Sequence, residues 1–165
     1  IMRNAANTLI WPASTFVLAL ILTVVPMPDT AAAFRPDWAA LIMIYWTLLA
    51  PERFGLMTAL FLGLAVDTLS GALLGQNALA MLIITYVGLK LHLRLRFSPI
   101  SQTTMTVFGM LSAYEFVLFW VDGVAGRTVP YSERWMPVLT GTLLWLLLRG
   151  ALDRVRRQDQ ARIST

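Results

Sequence analysis

Apolar residues run along this chain in long blocks, and polar residues mark the gaps between them. Six blocks stand out, at about Leu9–Val25, Asp37–Ala50, Phe54–Leu69, Gly75–Leu89, Ile100–Trp120 and Trp135–Leu148. None alternates with a period of two, which the roughly 10-residue strands of a membrane barrel would require. Helices are the remaining solution in lipid, because only helices and closed barrels satisfy the backbone there. The blocks predict an all-α integral membrane protein, a six-transmembrane-helix bundle with short loops. A lone spanning helix needs about 20 apolar residues. The second and sixth blocks are shorter, so they borrow flanking residues or lie inside the bundle. The third and fourth form either two helices or one longer broken unit with Leu69–Leu74 at membrane depth.

The gaps carry turn chemistry: PMPDT, APERFG, LSGALLGQN, LRLRFSP and DGVAGRTVPYSER. Ser98-Pro99 reads as an N-cap followed by proline at the first helical position. Asp37 after Pro36 reads as a cap for the second block, and Pro51 ends that block. One arginine precedes the first block, as in a signal peptide. The block is longer than a signal core and lacks a small-x-small cleavage site, so it reads as a retained span.

Composition sharpens the picture. The 165 residues are 58% hydrophobic and 13% charged, against about 25% charged in soluble domains. Without cysteine, disulfides and thiolate chemistry drop out, and the single histidine, His92, precludes a His-rich metal site. No cofactor-binding pattern is present. The net charge of +4 could signal nucleic acid, but its placement serves topology instead. With six spans, Arg3, Arg53, Lys90, Arg94, Arg96, Arg149, Arg154, Arg156, Arg157 and Arg162 share one side. Arg35, Arg127 and Arg134 lie on the other. Ten against three puts both termini in the cytoplasm by the positive-inside rule. Trp11, Trp38, Trp120 and Trp135 end blocks, and Trp46 and Trp145 lie about a turn from an end, as an interfacial aromatic belt would require.

Two acidic residues stand within the apolar blocks. Asp67 falls in the series Gly55, Ala59, Gly63, Asp67, Gly71 and Gly75, whose members are four apart and share a helix face at least through the first four. Small residues there admit close helix packing, within the chain or with a partner helix. A carboxylate in a span is costly and faces the bundle interior or water. Asp67 can cap the fourth helix or accept hydrogen bonds from Ser70, Gln76 or Asn77. Glu115 poses the same problem in the fifth block, where pairing with Arg134 or Arg127, or snorkelling toward water, answers it. The turn at Glu52-Arg53 reads as a cytoplasmic hairpin. LKLHLRLRF, Leu89–Phe97, reads as an inner segment able to touch anionic lipid headgroups. Residues 149–165 read as a basic cytoplasmic tail, helical at the interface or frayed. No phosphate loop, H-E-x-x-H or G-x-S-x-G pattern occurs, and nothing assembles a catalytic site.

The stretch FRPDWAALIMIYWTLLAPERFGLMTALFLGLAVDTLSGALLGQNAL, Phe34–Leu79, resembles the MreD family of bacterial rod shape-determining proteins. The RPDW entry, Tyr45-Trp46, the P-x-R-x-G turn at Pro51–Gly55, the G-L-x-x-D pattern at Gly63–Asp67 and the run G-x-L-L-G-Q-N-A-L carry the likeness. Glu52 departs from the pattern, where histidine is common. The second half of the chain matches mainly by hydropathy. The resemblance implies a multi-pass inner-membrane protein and a fold similar to the substrate-binding S-components of energy-coupling-factor transporters. It implies a noncatalytic scaffold or regulator of the elongation complex, which controls cell shape and lateral peptidoglycan synthesis. The implied partners are MreC first, then MreB, RodA, a class B penicillin-binding transpeptidase and membrane lipids, without nucleic acid. Two other functions remain open. A small-molecule or lipid-binding transport subunit would need a polar pocket near Asp67, Gln76 and Asn77. An enzyme acting on a lipid-linked wall precursor would need turnover through Asp67 or Glu115.

Overall fold

The computed structural model describes residues 2–26, 28, 32, 34–96, 98–128 and 130–163, with backbone only at 2–9, 96, 131–133 and 152–163. Among these residues there are six long helices and no strand: α1 Met2–Val24, α2 Trp38–Leu49, α3 Leu56–Ser70, α4 Gln76–Arg96, α5 Ile100–Val124 and α6 Tyr131–Ile163. Most of the gap PMPDT lies outside the described residues, as do the side chains of Arg3, Arg96, Arg154, Arg156, Arg157 and Arg162, on which the orientation partly rests.

The short second block lies inside the bundle. All residues from Ala39 to Thr47 are buried, and α2 touches each of the other five helices. A helix apolar on every side belongs in such a place. Its 12 residues rise only about 18 Å, well short of the roughly 30 Å hydrocarbon core. Protein surrounds it from Ala39 to Thr47, and its ends are half-buried. Two helical stretches, Gln76–Leu95 and Ile100–Val124, are long and apolar enough to cross a membrane alone. The outward side chains are largely apolar as well: Met57, Phe61, Met105, Leu143 and Leu147 are all more than two-thirds exposed. So much outward apolar surface suits a membrane protein and would aggregate in water.

Several local expectations change. The fourth helix does not stop near Leu89 but continues through the basic stretch to Arg96, and the sixth continues to Ile163. Alternating Leu with Lys, His and Arg reads as a loop when judged by hydropathy, yet all four are compatible with a helix. Ser98 does not cap α5. Its hydroxyl donates back to the Arg94 carbonyl at 2.8 Å, and Pro99 occupies the cap position. Trp46 and Trp145 are core residues, 6% and 2% exposed, not members of a belt. Trp46 donates its indole N–H to Thr15 Oγ1 at 2.8 Å and packs on Phe54 at 5.2 Å. Trp145 lies edge-on to Tyr45. Both sit on α2 or the part of α6 packed toward it, so protein surrounds them before the interface does.

Candidate functional site

The buried polar side chains concentrate at one end of the bundle, where α1, α3 and α5 finish and α2, α4 and α6 begin. Asp67 organises the α3–α4 corner. Helix α3 ends because Gly71, at φ +64°, turns left-handed, a conformation that glycine adopts without a Cβ penalty. The N–H groups of Gly71 and Ala72 both return to the Asp67 carbonyl. Gly75, at φ +95°, turns the chain into α4. There the Asp67 carboxylate takes over the start of the next helix. It accepts from the N–H of Gly75 at 2.8 Å, the N–H of Asn77 at 2.9 Å and the N–H of Ala78 at 3.4 Å. It also accepts from Asn77 Nδ2 at 2.9 Å. These are the backbone donors that a helix start leaves unpaired, and a carboxylate there also meets the positive end of the helix dipole. Asp67 is 1% exposed. One residue thus closes one helix through its backbone carbonyl and caps the next through its side chain.

From this corner the polar contacts spread to the neighbouring helices. Tyr114 on α5 donates its hydroxyl to Asn77 Oδ1 at 2.6 Å. Gln76 does not reach Asp67. Its Nε2 donates to Asp122 Oδ1 at 2.9 Å. Asp122, near the end of α5, forms a buried ion pair with Arg134 in the first turn of α6, and the guanidinium lies 5.8 Å from the Phe119 ring centre. Among the described residues Glu115 forms no ion pair with Arg134 or Arg127. Its buried carboxyl group lies instead beside that of Asp37, at the start of α2. Asp37 therefore stands at the N-cap position of α2 without bonding its N–H groups, because its side chain is committed to α5. Arg35 donates to the Leu22 carbonyl and joins the end of α1 to the entry of α2.

The glycine series splits along its length. Ala59 is fully buried. A Cβ added at Gly63 would lie 2.3 Å from Ala78 Cα, so the α3 and α4 backbones meet at Gly63 and the chain's own helix fills that position. At Gly55 a Cβ would meet nothing. Ser70 donates its hydroxyl to Val66 on its own helix rather than to Asp67. Glu52 and Arg53 are exposed in the turn at the opposite end, and no ion pair joins them among the described residues.

A small cavity of about 60 Å³ opens beside this layer, walled by Thr23, Arg35, Asp37, Trp38, Val66 and Tyr114. Asp67, Gln76 and Asn77 do not line it. Among the described residues no three His, Cys, Asp or Glu side chains form a metal-ligand group. Every acidic side chain in the layer is engaged with another part of the chain, so the arrangement fastens helix ends together.

The family model for rod shape-determining protein MreD matches residues 2–155. The chain belongs to the MreD family. Rod shape-determining protein MreD of Haemophilus influenzae is 25% identical over 145 residues, covering 88% of this chain and 90% of that protein. No solved structure matches the chain. Membership assigns this membrane protein to rod shape determination, a structural task rather than an enzymatic one. Within the polar layer, Tyr114, Asp122 and the Asp37–Glu115 contact escape a reading of MreD sequence patterns alone. A signal existed for one of them: Asp122 and Arg134 bracket the DGVAGRTVPYSER gap with opposite charges.

Proposed function

We propose that this MreD-family protein is a noncatalytic scaffold or regulator of the elongation complex in the bacterial inner membrane. It binds MreC and thereby helps control lateral peptidoglycan synthesis, beside MreB, RodA and a class B penicillin-binding transpeptidase. In this reading the helices form a six-span bundle similar to energy-coupling-factor S-components, with both termini cytoplasmic. The polar layer then lies toward the periplasm. The family match over residues 2–155 carries the proposal. The commitment of Asp67, Glu115 and Asp122 to contacts between helices supports it, because those groups are engaged in holding the bundle.

The contact for MreC is the segment Asp122–Trp135. Its base is fastened by the Asp122–Arg134 pair, while Gly123 to Thr128 are all exposed. The alternative site on the glycine face is less favourable, since Ala78 occupies Gly63. A transport subunit is also less favoured, since the Asp67 carboxylate is taken up by donors of Gly75, Asn77 and Ala78. Photocrosslinking residues placed at Val124 and Arg127 in native membranes test the reading. Crosslinks to MreC at these positions are expected. Crosslinks absent there, with the complex still recovered on purification, would refute this contact.

A further inference from the structure

The exposed face of α4 carries a stripe that no contact within the chain explains. Leu79, Ile83 and Tyr86 follow one another at helical spacing, and all are exposed, at 47%, 38% and 52%. Lys90 continues the stripe, and Leu93 and Arg94 complete it, each exposed. Steps of three and four residues keep these side chains on one side of the helix. The stripe changes character along its length, from aliphatic to aromatic to cationic. The Lys90 ammonium lies 5.2 Å from the Tyr86 ring centre, which holds the charge at the aromatic end of the stripe. Neither Lys90 nor Arg94 meets a carboxylate among the described residues.

We propose that this face binds one anionic phospholipid, with a fatty-acyl chain along Leu79, Ile83 and Tyr86 and the phosphate between Lys90 and Arg94. The dimensions agree. Lys90 follows Leu79 by 11 positions, a rise of about 16 Å. One leaflet contributes about half of the roughly 30 Å hydrocarbon core. Two cations one helical turn apart present their donors to a single phosphate group. The aromatic ring sits below them, at the depth where such rings meet headgroups. The inference rests on the membrane setting of the chain and not on the MreC contact, which lies at the other end of the bundle.

Native mass spectrometry of the purified full chain, given phosphatidylglycerol or phosphatidylcholine, reads the interaction. The wild-type protein is expected to retain phosphatidylglycerol preferentially. The double variant Lys90→Gln/Arg94→Gln should lose roughly 25-fold of that preference, about fivefold for each cation. Lys90→Arg should keep it. A phosphatidylglycerol with six-carbon chains should be retained more weakly than the long-chain lipid, and glycerol phosphate should not compete. A double variant that still prefers phosphatidylglycerol overturns the proposal. So does competition by glycerol phosphate, which would mark a site for free phosphate instead.

Discussion

Replacing Asp67 by asparagine removes one acceptor from the centre of the polar layer, and the loss can be worked through atom by atom. The amide oxygen of the new side chain can still receive Asn77 N–H and Nδ2, each 2.9 Å from the present Oδ1. The amide NH₂ then faces the Gly75 and Ala78 N–H groups, which now donate to Oδ2 at 2.8 and 3.4 Å. The Ala78 bond is long and contributes little. The Gly75 bond is firm, and its loss leaves a donor facing a donor, at a cost of about 1–3 kcal/mol. Removing the negative charge from the start of α4 adds about 0.3–2 kcal/mol. The total, about 1–5 kcal/mol, corresponds to a melting temperature lowered by roughly 2–20 °C in a chain of this size. Thermal unfolding followed by tryptophan fluorescence in nanodiscs measures it. A separate cycle of Asp67→Ala, Asn77→Ala and the double variant should fall clearly short of additivity, because those two side chains share a bond. A melting temperature within about 1 °C of wild type for Asp67→Asn would refute the reasoning.

Two further substitutions probe the same packing. Gly63→Ala puts a methyl group 2.3 Å from Ala78 Cα, so the α3–α4 contact must open, at about 1–3 kcal/mol. Gly109→Ala meets open space and should leave stability unchanged or slightly raised, and equal melting of the two variants would contradict the difference. Arg134→Ala leaves Asp122 buried without its cation and should cost about 3–5 kcal/mol. Replacing both Asp122 and Arg134 by leucine should cost less than Arg134→Ala alone, and the opposite order in thermal unfolding would remove the ion pair from the argument.

Much of the corner around Asp67 was readable because its parts lie close in sequence. A carboxylate in an apolar run needs donors, and the glycines and Asn77 that follow within ten residues can bring them. The choice between Gln76 and Asn77 was not readable, since Gln76 turns to Asp122, 46 positions away. The Asp37–Glu115 contact joins residues from different helices, and no local periodicity encodes such a pairing. Hydropathy also misplaces Trp46 and Trp145. It counts distance from the end of a block, whereas burial depends on which helix stands in the middle, and here that is α2. The helical end of α4 shows a related limit, since charge alternation resembles a loop in hydropathy but costs a helix little when its cations face out.

The decisive comparison is made in cells. Asp67→Asn, expressed in bacteria lacking their own MreD, should restore rod shape in proportion to the amount of folded protein in the membrane. A stabilised expression level that matches wild type should therefore restore wild-type shape, because Asp67 fastens helices and performs no chemistry. Round cells at wild-type levels of folded protein would contradict that and give Asp67 a chemical role.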